Sequence, residues 1–182
     1  MSRAGWFILG LIIGVVVFVP LGAYLFAKLG GIAMSTTAKP LPFERTMAKT
    51  ALRASIGDAA KMQDPLPADD ANMLGGVRIY RDNCAVCHGL PGHAKTAIAG
   101  GEFPDPPQLF EPRQMVADDP QGVTYWKVSH GIRLSGMPGF ANSLSDTDRW
   151  QVTMLLANAD KLSAAVKTAL ANSTPGNPAE SR

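Results

Sequence analysis

The chain has 182 residues, enough for one modest domain with appendages, and its 17 Lys and Arg against 15 Asp and Glu leave a net charge of only +2. The two signs are mixed along the chain rather than blocked, which argues against nucleic acid and against an acidic substrate as partners. No internal repeat is visible, 18 Gly and 14 Pro are too few for a low-complexity chain, and there is neither a Gly-rich phosphate loop nor a Ser-His-Asp arrangement to suggest a transferase or hydrolase.

In chain order, the first element is apolar throughout. From Gly5 to Ala27 no charge interrupts GWFILGLIIGVVVFVPLGAYLFA. As a helix this run spans ~34 Å, enough for a ~30 Å hydrocarbon core. It is longer than the ~7–15-residue apolar core of a cleavable signal. Residues 1–27 are therefore expected as an uncleaved transmembrane anchor in the lipid bilayer, although Ala33 or Ala38 offers a small residue for cleavage. Trp6 and Tyr24 suit the two interfaces. Gly10 and Gly14 form one G-x-x-x-G, which serves helix packing but is also common in single spans. Arg3 precedes the run while Lys28, Lys39 and Arg45 follow it, so the positive-inside tendency alone would leave the bulk of the chain in the cytoplasm.

Residues 28–68 read as a tether, with Gly30-Gly31, Pro40, Pro42, Pro65 and Pro67 and few large apolar groups. One short surface helix is expected within Glu44–Met62, where Met47, Leu52, Ile56 and Ala60 recur at helical intervals. As a flexible coil the segment would reach ~30–40 Å.

A folded head is expected over 69–170 and a disordered tail over 171–182. Asp69 or Asp70 can cap a helix that places Met73, Val77, Tyr80 and Cys84 on one face. A Gly- and Pro-rich loop runs to Pro112, a second helix is expected over Asp119–Gly131, and Ser145-Asp146-Thr147-Asp148 resembles a capping box opening a third, with Trp150, Met154, Leu155 and Leu162 at helical spacing. No segment alternates as a strand does, so the class is all-α.

Chemistry is concentrated in Cys84-Ala85-Val86-Cys87-His88. Two thiols three positions apart with a histidine directly after is the spacing of covalent haem attachment. Both sulfurs of one helical turn can reach the vinyl groups of one porphyrin edge, and the histidine falls beneath the iron. No other cysteine exists, so the motif accounts for one haem c. A redox dithiol would want a βαβ setting, and a closed zinc site four ligands, for which only His93 and His130 remain. For the distal side of the iron, Met154 lies on an apolar helix face, Met115 in an unconstrained loop, and His93 too close to the motif to cross over. Met137 stands in Ser135-Gly136-Met137-Pro138-Gly139-Phe140, between two helices, where it can drape over the distal face. His130 is its rival, with Trp126 and Arg133 flanking.

YRDNCAVCHG, HGIRLSGMPGF and LSDTDRWQVTMLL together resemble the small single-haem class I cytochromes c of bacteria over roughly residues 70–160. The resemblance implies a helical haem domain, covalent attachment through Cys84 and Cys87, iron ligation by His88 and Met137, and a proline carbonyl (Pro104, Pro106 or Pro107) supporting His88. It also implies that the first and last helices cross near the haem, setting Gly76 and Tyr80 against Trp150 or Met154. The function implied is electron transfer on the outer, periplasmic side of a bacterial inner membrane, against the charge count. The chain would then be no enzyme itself but a tethered carrier or the cytochrome subunit of a respiratory oxidoreductase, with redox proteins as partners. A gas sensor or a peroxidase-like enzyme with an open distal site is the alternative.

Overall fold

A computed structural model describes residues 2–172, in which every regular element is helical. The chain divides into two compact units, residues 1–44 and the chain from Arg45 onward.

The first unit is built on α1 (Arg3–Lys28), 26 residues with none buried. Ser2 opens it by accepting the Gly5 N–H at 3.2 Å. Its end is a Schellman turn: Gly30, at φ 82°, is followed by Gly31, whose N–H returns to the Phe26 carbonyl at 2.8 Å. Pro20 is accommodated inside the helix. By length and composition α1 can cross a membrane.

The second unit opens with α2 (Glu44–Ile56) and a 3₁₀ turn, Gly57–Lys61. It continues with α3 (Asp70–Asn83), the single turn α4 (Ala85–His88), α5 (Ala97–Gly101), α6 (Gln121–His130), α7 (Asp146–Ala157) and α8 (Ala164–Ala171). Its core is the crossing of α3 on α7. Met73, Val77 and Tyr80 of α3 are buried with Val152, Met154, Leu155 and Leu156 of α7, and Val166 and Leu170 of α8 close the cluster. The crossing is close because a Cβ on Gly76 would lie 2.3 Å from the Gln151 carbonyl oxygen and 3.0 Å from the Leu155 Cβ. The crossing partners of Gly76 are therefore Gln151 and Leu155, one turn apart on α7, rather than Trp150 or Met154. Trp150 instead stacks on Tyr125 of α6, with ring centroids 3.9 Å apart and planes at 14°.

The caps follow the side chains. Asp69 accepts the Asn72 N–H at 2.9 Å, and Ser145 and Asp148 form a reciprocal capping box. The third sequence-expected helix is two: α7 stops at Ala157, Leu162 is buried in the turn that follows, and Ser163 caps α8 while its hydroxyl donates to Asp70 at 2.9 Å. Of the expected tail, Ala171 ends α8 and Asn172 caps it, and the rest lies outside the described residues.

Part of the segment expected as a tether packs on the head. Ile56 is buried, and the 3₁₀ turn sits directly on the start of α6, where a Cβ on Gly122 would meet the Ala59 carbonyl oxygen at 2.0 Å. Arg45 lies over the Phe103 ring at 5.7 Å.

Candidate functional site

The chain feeds directly from α3 into the Cys-x-x-Cys-His turn. The Cys84 N–H still bonds the Tyr80 carbonyl at 2.8 Å, and the His88 N–H bonds the Cys84 carbonyl at 2.9 Å, so Cys84, Cys87 and His88 share one helical turn. Gly89 ends it at φ 70°, a conformation that favours glycine. Both cysteines are free thiols, unpaired with each other. Burial, then the neighbouring Cys87, pushes the Cys84 thiol up to about 12. Burial and the hydrogen bond to Glu102 push Cys87 up to about 11. Both sulfurs are therefore neutral S–H groups at physiological pH, unlike the depressed thiolates of dithiol redox motifs.

The turn is held from below by side chains that its own sequence does not reveal. The Tyr80 hydroxyl donates to the carbonyls of Gly89 at 2.7 Å and His88 at 3.1 Å, where the turn ends, and the Tyr80 ring meets Phe110 edge-on at 5.0 Å. Gln108 donates from Nε2 to the Cys87 carbonyl at 3.2 Å. The Thr96 hydroxyl donates to the Val86 carbonyl at 2.5 Å and caps α5 from the same side chain. Tyr80 was legible only as an apolar-face residue; Gln108 and Thr96 carried no sequence signal.

His88 has one nitrogen committed. Its Nδ1–H donates to the Pro107 carbonyl at 2.8 Å, which selects Pro107 among the three prolines. The ring is thereby oriented and its tautomer fixed, leaving the Nε2 lone pair as the free donor. Burial, against the smaller pull of the Pro107 bond and of Glu102, lowers the His88 pKa below its ordinary value and keeps the ring neutral.

The Met137 loop is tied to the end of α6. Phe140 and Ala141 donate N–H bonds to the carbonyls of Val128 and Ser129 at 2.9 and 3.1 Å, and Ile132 donates to the Met137 carbonyl at 3.1 Å. Ser135 Oγ accepts the Met137 N–H at 3.2 Å. The loop also approaches the motif. Glu102 accepts the Cys87 thiol proton at 3.0 Å, and the same carboxylate would lie 2.6 Å from a Cβ on Gly136. One side chain thus bridges the second cysteine and the residue preceding Met137, which is half-buried. Nothing in the sequence marked Glu102.

The rivals are placed differently. His130 is exposed, its ring stacked on Trp126 at 4.7 Å and its Nδ1 held by the Trp126 carbonyl at 3.0 Å. Met154 is 1% exposed in the core. His93 and Arg133 are exposed, and Met115 is half-buried in its loop. A cleft of about 210 Å³ lies on one flank of His88, lined also by Leu90, His93, Lys95, Gln108, Phe110 and Glu111. It includes neither cysteine nor Met137.

The donor set fits a haem c: two neutral thiols and an oriented neutral imidazole on one turn, with a thioether loop closing toward the second thiol. The family model for cytochrome c oxidase, cbb3-type, subunit III matches residues 71–154. The chain carries a c-type cytochrome domain. That domain implies haem-based electron transfer, and with an apolar N-terminal helix it fits a membrane-anchored class I cytochrome c. A comparison with curated proteins gave no match. The matched span begins in the first turn of α3 and ends in the core of α7, so it contains the motif, Pro107 and the Met137 loop.

Proposed function

We propose that the chain is an electron carrier with one covalent haem c, attached through Cys84 and Cys87 and ligated by His88 Nε2 and Met137 Sδ. The observation that carries the reading is the Pro107 carbonyl on His88 Nδ1, which leaves a neutral, aimed Nε2 beside two free thiols. When bound, the haem supplies an iron that cycles between ferric and ferrous states. The protein's part is to keep the ligands still. Tyr80 and Gln108 hold the carbonyls of the motif, and the bonds from the Met137 loop to α6 fix the distal side. A thioether opposite an imidazole favours the ferrous state and raises the potential over two nitrogens.

The haem domain belongs on the periplasmic side, because attachment of this kind is made outside the cytoplasm, and long segments translocate largely regardless of charge. The matched family is that of an oxidase subunit, which supports membership of a membrane oxidoreductase complex over a free shuttle. The gas-sensing and peroxidase readings need an open iron, and a peroxidase also needs a distal acid–base group. His130, stacked outward on Trp126, is poorly placed for that task.

The test is an absorption spectrum of the detergent-purified chain, oxidised and reduced, with and without carbon monoxide. A c-type reduced spectrum, a weak far-red methionine-to-ferric band and no carbon monoxide shift support the closed carrier. Ready carbon monoxide binding without the far-red band would give the lead to the sensor or enzyme.

A further inference from the structure

Outside the haem site the charge is distributed unevenly. Residues 28–56 hold five basic side chains (Lys28, Lys39, Arg45, Lys49 and Arg53) against one acid, Glu44, whereas residues 71–165 hold eight basic against nine acidic. Three of the five, Arg45, Lys49 and Arg53, recur every fourth residue along α2 and so form one stripe. All three are exposed, and none makes an ion pair among the described residues. The acids nearest in sequence are engaged elsewhere: Glu44 accepts the Leu41 N–H at 2.7 Å, and Asp58 pairs with Lys61 at 2.6 Å. Like charges four apart weaken a helix, and no acidic side chain among the described residues pairs with the stripe to offset that. The helix is nonetheless fixed, by Arg45 over Phe103, by buried Ile56 and by the 3₁₀ turn on α6.

We propose that this stripe docks on the anionic lipid headgroups of the membrane that α1 spans, so that α2 acts as an electrostatic foot holding the haem domain at the bilayer surface. The proposal rests on α1 being a membrane anchor. Only residues 29–43 separate the end of α1 from the start of α2, a flexible reach of ~20–25 Å. The stripe is therefore held permanently near headgroups, whereas an acidic protein must arrive from solution. Polybasic segments beside a membrane helix are attracted to anionic leaflets over about a Debye length. Two large apolar side chains of the same segment are also exposed: Met47, on another face of α2 from the stripe, at 70%, and Phe43, one residue before the helix, at 77%. A head held this way exchanges electrons preferentially with partners in the membrane plane.

The experiment uses the full haem-loaded chain in nanodiscs of phosphatidylcholine with or without phosphatidylglycerol, read by amide hydrogen exchange across 44–56 and by acetylation of Lys49. Slower exchange and several-fold weaker acetylation are expected only with phosphatidylglycerol and reversed by high salt, and in the R45Q/K49Q/R53Q variant, read by exchange alone, the slowing is absent. Equal values in both discs, protection that survives salt, or protection retained by the triple variant would overturn the proposal. Recovery of the chain in the discs and its reduced haem spectrum report separately on the anchor and haem readings.

Discussion

His88 gives its Nδ1–H to the Pro107 carbonyl at 2.8 Å, which holds the ring still and leaves Nε2 as the nitrogen proposed to meet iron, while burial, not that bond, keeps the ring neutral. Among the described residues Met137 is bonded through its backbone, to Ser135 and Ile132, with no clamp on its side chain. Met137→Ala is therefore expected to open the distal side, conferring carbon monoxide binding and a lower potential, measured by difference spectra and redox titration. No change in either would move the assignment to His130. Cys87→Ala should leave haem bound by at most one thioether, read as altered haem retention after denaturation in acid. Tyr80→Phe removes a buried hydroxyl that serves the carbonyls of His88 and Gly89. It should cost about 1–3 kcal/mol, since the carbonyls are left without their donor, while the c-type spectrum survives. Chemical denaturation of the holoprotein measures that cost.

Among the elements, two glycines set how closely helices meet. Gly76 lets α3 lie against the Gln151 backbone of α7, where an added methyl would meet the Gln151 carbonyl group and the Leu155 Cβ. Gly76→Ala is expected to destabilise the head by about 1–3 kcal/mol through the forced separation of α3 and α7. Gly122 performs the same service for the 3₁₀ turn on α6. Because that contact lies at the edge of the domain, Gly122→Ala should loosen the segment 45–64 and leave haem incorporation intact. Faster limited proteolysis within that segment, with an unchanged visible spectrum, is the expected result. The helices themselves were largely readable from sequence. Asp69 and the Ser145/Asp148 box sit where their side chains can cap, and Met73, Val77 and Tyr80 share a face by spacing alone. The division of the last helix into α7 and α8 was not readable, because Leu162 keeps a helical interval while being buried in a turn.

For the whole molecule, the functional question is whether the cytochrome domain roams or is held. Replacing residues 1–30 by a cleavable signal should yield a soluble red protein if α1 is the sole attachment, checked by fractionation and haem staining. Purification in mild detergent then separates shuttle from subunit: co-elution of large membrane proteins supports the oxidase-subunit reading, and isolation alone supports the shuttle. The sequence by itself carried the proposed chemistry, because covalent haem attachment requires two thiols and a histidine at one local spacing, and it determined the apolar helix, because a run of uncharged residues needs no tertiary context to be recognised. Only the tertiary structure decided which proline supports His88, that Tyr80, Gln108 and Glu102 converge on the motif, and that residues 45–64 pack on the head. Those contacts join residues far apart in the chain or pair backbone with backbone, and neither leaves a periodic trace in the order of side chains.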